Sequence, residues 1–187
     1  MTSDEAPIYV PDENSPELPL PPSLPAKPFT FEEAITLLDE VTDNFPNPHD
    51  ALEELMTCGS SMFEDVEELV EGRLSGDHFA ILVPILIQLA FVFAPPGTLQ
   101  PELNLDSMED ALDDLQEENP DEESLISGSR QPHVLKAVLK TMTEFNAAIP
   151  KNQPKLKKQE LQFISLLLRV ITDEFDAALR IEGATRD

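Results

Sequence analysis

HFAILVPILIQLAFVFAPP, residues 78–96, is the most apolar passage in a chain otherwise loaded with carboxylates. Whether it crosses a bilayer or fills the centre of a soluble protein sets the fold class. Its apolar run, Phe79 to Ala94, is interrupted by Pro84 and Gln88 and stopped by Pro95, Pro96 and Gly97. As a helix rising about 1.5 Å per residue it reaches roughly 24 Å, short of the ~30 Å hydrocarbon core. Pro84 would free a carbonyl one turn back, which lipid cannot satisfy. The flanks lack basic anchors: the nearest bases are Arg73 and, far downstream, Arg130. A helix apolar on all sides belongs at the centre of a helical domain. Residues 79–94 are therefore predicted to be core, and no membrane contact is expected.

Upstream, the apolar period is that of helices. Thr30 followed by Glu33 is a capping-box signature, and Phe31, Ile35, Leu38, Val41 and Phe45 recur at three- and four-residue steps toward an end near Asn44. Asn47-Pro48 opens a short helix through Leu52, Leu55 and Met56, which Gly59 ends. Ser61 and Glu64 form a second capping-box pattern, with Met62, Val66, Leu69 and Leu74 as its stripe and Gly76 as its stop. Asp77 is placed to cap the central helix.

Downstream, residues 98–129 hold 11 acids and no base. A thin stripe of Leu105, Met108, Leu112 and Leu115 predicts a helix capped by Asp106 or Ser107. NPDEESLISGS then reads as a loop. Two stronger stripes follow: Leu135, Val138, Met142, Phe145 and Ile149 from Pro132 to about Ala148, and Leu161, Ile164, Leu168, Ile171, Phe175 and Ala178 from about Pro154 to Ile181. Heptad-like seams joined by the turn PKNQP predict an antiparallel helical hairpin. The second seam would serve equally in a homodimer. No segment alternates with period two, so no sheet is expected. The fold class is all-α: about six helices around 79–94 within a domain spanning 29–182.

Residues 1–28 carry 8 of the 18 prolines among acids and serines, a composition that reads as a disordered or extended tail. Residues 183–187 are expected to be a disordered C-terminus. Within the tail, Pro16, Pro19, Pro22, Pro25 and Pro28 recur every third residue, matching the turn of polyproline II and lining one edge of it. Pro22 to Lys27 fits PxxPxK, a form read by some proline-binding grooves. A stiff spacer, or a segment draped over its own domain, satisfies the same pattern.

Net charge narrows the partners. The chain has 37 Asp and Glu against 12 Lys and Arg, a formal charge of -25. Residues 1–129 contain 30 of the acids and only Lys27 and Arg73 as bases, whereas residues 130–187 contain 10 bases and 7 acids. Such a field repels nucleic acid and anionic lipid and attracts basic proteins. Glu109, Asp110, Asp113, Asp114, Glu117 and Glu118 are the expected docking acids. Lys151, Lys155, Lys157 and Lys158 cluster at the hairpin turn, where they are expected to pair with nearby acidic helices or simply to solvate the turn.

Familiar chemistry is missing. The six glycines form neither a Walker A loop nor GxGxxG. His49, His78 and His133 lie in no HExxH, and each falls near a helix start, where a solvated or capping role suffices. Cys58 is the single cysteine, so an intrachain disulfide and a Cys-based zinc site are both excluded. It reads as a small half-buried residue in a cytoplasmic protein. The segment DSMEDALDDLQE lacks the turn glycine of a calcium loop. No cofactor or metal is expected. The leading expectation is a non-enzymatic interaction protein that presents acidic helical surfaces to a basic partner. A nucleic-acid mimic, using acids on helices 61–74 and 106–118, and a carboxylate-based metal-dependent enzyme are the alternatives.

Overall fold

The computed structural model describes residues 17–184, with side chains described as far as Arg180. The protein is all-helical, with no strand among the described residues. Eight helices follow in order: α1 (Phe31–Asn44), α2 (Pro48–Thr57), α3 (Met62–Val70), α4 (Gly76–Phe93), α5 (Leu105–Glu118), α6 (Glu122–Ser127), α7 (Pro132–Ala148) and α8 (Lys158–Ala184).

By length and composition α4 could cross a membrane, yet half of it is buried within the molecule. It packs against α1, α2, α7 and α8. Leu82 and every residue from Leu89 to Phe93 are buried, whereas Phe79, Ile81, Val83 and Pro84 in its first two turns are half-covered. A second axis is α8, which packs on α4, α5, α6 and α7. Its stripe of Ile164, Leu168, Ile171 and Phe175 is buried within the chain, so the seam that could have sealed a dimer is used internally. The two axes meet where Phe93 stacks on Phe175, ring centroids 5.4 Å apart, with Phe29 edge-on to Phe93. Offset and edge-to-face pairs of this kind add about 0.5–1.5 kcal/mol to their burial.

Several local signals act as expected. Thr30 and Glu33 close a reciprocal capping box on α1, and Asn47 caps α2 ahead of Pro48. Gly59 adopts φ 81°, the left-handed geometry that stops α2 at no steric cost. Other boundaries require correction. α3 ends at Val70, and Gly76 opens α4 instead of closing α3. Ser75, not Asp77, caps α4, and Asn104, not Asp106 or Ser107, caps α5. The Ser61–Glu64 box is not formed, because the Ser61 hydroxyl donates to Asp65. α8 starts at Lys158, four residues after Pro154. In α7 the buried stripe stops at Met142; Phe145 is 41% exposed.

The largest correction is α6, six helical residues inside the expected loop. Asn119 ends α5 in the left-handed conformation, and the Asp121 side chain then accepts from the Ser124 N–H to start α6. Only Leu125 is buried, too little for a periodic signal. A polar clasp holds α6 to α8. The Arg169 guanidinium donates to the carbonyls of Leu125 and Gly128 and to Asp173, and Asp173 accepts from the Ser129 hydroxyl and the Arg130 N–H. A Cβ on Gly128 would sit 2.9 Å from Arg169 Nη1, so this glycine leaves room for the clasp.

Residues 17–28 contain no helix and run along the domain surface. The Leu99 N–H donates to the Pro19 carbonyl at 2.8 Å, and the Phe29 N–H donates to Gln131 Oε1 at 3.0 Å. Pro21 is buried and Leu24 packs against the core.

Candidate acidic docking site

The acids of α3 and α5 share one surface. The C-terminal end of α3 faces the middle of α5 across a cleft of about 390 Å³, into which Glu68, Glu71, Glu109 and Asp113 project. Adjoining depressions add Glu64 and Glu67 on one side and Asp65, Glu102 and Asp106 on the other. The single base in the central cleft is Arg73. Its Nη2 lies 3.5 Å from Asp113 Oδ1, and its guanidinium carbon lies 5.4 Å from the Phe163 ring centroid on α8. Arg73 thus ties the turn after α3 to both α5 and α8, but neutralises only one of the carboxylates around it.

Several acids of α3 and α5 sit where their own helix disfavours them, whereas Glu64, Asp65 and Asp106 lie in favourable first turns. Glu67 and Glu68 occupy the last turn of α3 and Glu71 is its C-cap. Glu117 and Glu118 end α5, and neither helix has a base in its last turn. The C-terminal end of a helix bears partial negative charge, so each such carboxylate costs roughly 0.3–1 kcal/mol before mutual repulsion is counted.

The six acids singled out on α5 do not form one face. Glu109 and Asp113 line the cleft against α3. Asp114 and Glu118 turn toward α8, beside Arg130 and Arg169. Asp110 and Glu117 are exposed and line neither depression. The α3 acids complete the cleft; in the sequence they enter only the nucleic-acid-mimic alternative, because spacing carries no information on which helices become neighbours. In the proline segment, Pro19, Pro22, Pro25 and Lys27 are all exposed, with a bend at Ala26 and Lys27. Pro16 lies outside the described residues.

The histidines, Cys58 and the turn lysines lie outside this cleft. His49 pairs with Glu53 on α2 at 3.3 Å. His78 is half-buried, not merely capping: its Nδ1 approaches Glu160 Oε1 to 2.7 Å and joins the starts of α4 and α8. His133 is exposed. Burial pushes the Cys58 thiol up from its ordinary range, reinforced by Glu54, to which Sγ donates at 3.6 Å. Among the described residues no three His, Cys, Asp or Glu side chains converge to hold a metal ion. Of the turn lysines, Lys155 Nζ donates to the Ala147 carbonyl, and none forms an ion pair among the described residues. All four are exposed and solvate the turn, with Lys155 also capping the end of α7. A separate apolar groove of about 240 Å³ lies between α1, α2, α4 and α7, lined by Phe45, Pro46, Pro84 and Phe145.

No protein-family model, curated protein or solved structure matches the chain.

Proposed function

We propose that the protein is a non-enzymatic interaction protein whose α3–α5 cleft receives a basic segment of a protein partner in the cytoplasm. The observation that carries this reading is the convergence of Glu68, Glu71, Glu109 and Asp113 on one cleft, with the α3 acids placed where their own helix disfavours them. A basic segment bound in the cleft would relieve the repulsion among these carboxylates. The partner's Lys or Arg side chains would exchange hydration for several carboxylates at once, while Leu69, Leu105 and Leu112 in the cleft wall give the contact shape. Long-range attraction would speed encounter and make association sensitive to salt.

The test compares two variants that remove equal charge. Glu68→Gln/Glu109→Gln empties the cleft of two carboxylates; Asp39→Asn/Glu40→Gln removes two exposed ones from α1. Partners captured from native lysate by the full chain are compared with those captured by each variant, alongside titration with a lysine-rich peptide. The cleft variant should lose partner affinity by about tenfold and the α1 variant should change little. Equal loss from both would mean that bulk charge, not the cleft, attracts basic proteins. A nucleic-acid mimic is a special case favoured by the adjacency of α3 and α5, since it needs both acidic helices on one surface. It requires that the protein displace DNA from its captured partner.

A further inference from the structure

The proline segment is bound to its own domain along one edge and open along another. Burial follows a three-residue step: Leu18 is half-buried, Pro21 buried and Leu24 half-buried, whereas Pro19, Pro22, Pro25 and Pro28 are all exposed. A three-residue step is that of polyproline II, in which the rings of Pro19, Pro22 and Pro25, ahead of the bend at Ala26, would stand about 9 Å apart along a straight ridge. The third edge is also open, but its only large apolar side chain is Leu20, 51% exposed. The segment is fixed at both ends, by the Leu99 N–H on the Pro19 carbonyl and by the Phe29 N–H on Gln131. Internal packing uses only the inner edge, so it explains Leu18, Pro21 and Leu24 and leaves the outer prolines unexplained.

We infer that residues 19–28 form a pre-organised ligand ridge, read through its outer prolines by a partner with an aromatic-lined polyproline groove while the segment stays docked. Such grooves take a left-handed, three-residue repeat and gain from a ligand whose backbone entropy is already lost. Here two backbone hydrogen bonds and the buried Pro21 supply that loss in advance. The register also says what the partner does not read. Lys27 sits in the bend at Ala26 and Lys27, out of step with the outer prolines, and is itself exposed. The outer edge itself carries only prolines and no cation, so recognition rests on the prolyl rings alone. This surface shares no residue with the α3–α5 cleft, and the two readings stand or fall separately.

The chain contains no tryptophan, so tryptophan fluorescence from an added groove domain reports binding without background. One SH3, one WW and one EVH1 domain, each chosen for a groove tryptophan, are titrated with the full chain and its variants. Wild-type chain should saturate at least one of them. Pro22→Ala/Pro25→Ala should weaken that binding by about tenfold or more with unchanged Tm. Lys27→Ala should leave it within about twofold. Pro21→Ala/Leu24→Ala should lower Tm while weakening binding less than the outer-edge pair. Absence of saturation with all three domains overturns the inference, as does binding indifferent to Pro22 and Pro25. An inner-edge variant that binds better than wild type, or as poorly as the outer-edge pair, also overturns it, because the groove would then need a released segment.

Discussion

Cys58 shows how one residue's surroundings decide its chemistry. Its side chain is buried at the end of α2, its carbonyl accepts from the Gln100 N–H, and its thiol donates to Glu54. Glu54 in turn accepts from the Gly97 N–H at 2.9 Å, so the carboxylate bridges α2 to the loop after α4. Burial and the adjacent negative charge both favour the protonated thiol, and the thiolate is the reactive form. Because the folded-state value is raised, the associated stability is fully present below the ordinary thiol range and is lost as pH rises through the raised one. Ellman's reagent at about pH 8 should therefore label native protein roughly a hundredfold more slowly than unfolded protein. The two rates should converge as denaturant unfolds the chain. Equal rates in native buffer would mean that α2 and the 94–100 loop open freely.

Among the helices, α8 carries the most consequential polar contact. Asp176 is 1% exposed, yet it accepts from Gln131 Nε2 at 2.7 Å and from Arg180 Nε and Nη2 at 2.8 and 3.0 Å. Its hydrogen bonds raise the Arg180 pKa above the ordinary value, as expected of a paired guanidinium. Gln131 then passes the contact to the Phe29 N–H, so α8, the start of α7 and the proline segment form one network. Arg180→Ala leaves a buried carboxylate with a single donor and should cost roughly 3–5 kcal/mol, whereas Arg180→Ala with Asp176→Leu should recover a large part of it. Urea melts of the three proteins decide this; a single variant losing under ~1 kcal/mol would show that water already reaches Asp176. Nothing in the sequence revealed this network. The pattern did show α1, α2, α7 and most of α8, where apolar steps of three and four run for several turns. It failed at α6, whose six residues bury one leucine, although Asp121 followed by Glu122 and Glu123 is a readable helix start. It also failed at Ser61 and Asp77, where two polar residues compete for one cap and only tertiary position selects the winner.

At the scale of the molecule, the question is what a charge of -25 does to a fold that packs well. The described ion pairs are few, and most lie within one helix: Lys140–Glu144, Arg169–Asp173 and Arg180–Asp176 are all four residues apart on α7 or α8. Across the α3–α5 surface only Arg73 opposes the carboxylates, and its own pair is exposed on both sides. Exposed pairs of this type contribute at most about 1 kcal/mol. Like-charge repulsion should therefore outweigh attraction, and screening should stabilise the protein. Raising salt from about 0.01 M to 1 M shortens the Debye length from ~30 Å to ~3 Å, so Tm should climb over that range. Glu68→Lys/Glu71→Lys should raise Tm at low salt by about 2–4 °C per kcal/mol gained, and flatten the salt dependence. Those substitutions reverse charge at the end of α3, where a base is favoured, and relieve the cleft they share with Glu109 and Asp113. A Tm that falls with salt, or a reversal that destabilises, would show that Arg73 and the α8 pairs dominate the field. The α3 acids would then be holding the fold together, and a cost borne for binding could no longer explain where they sit.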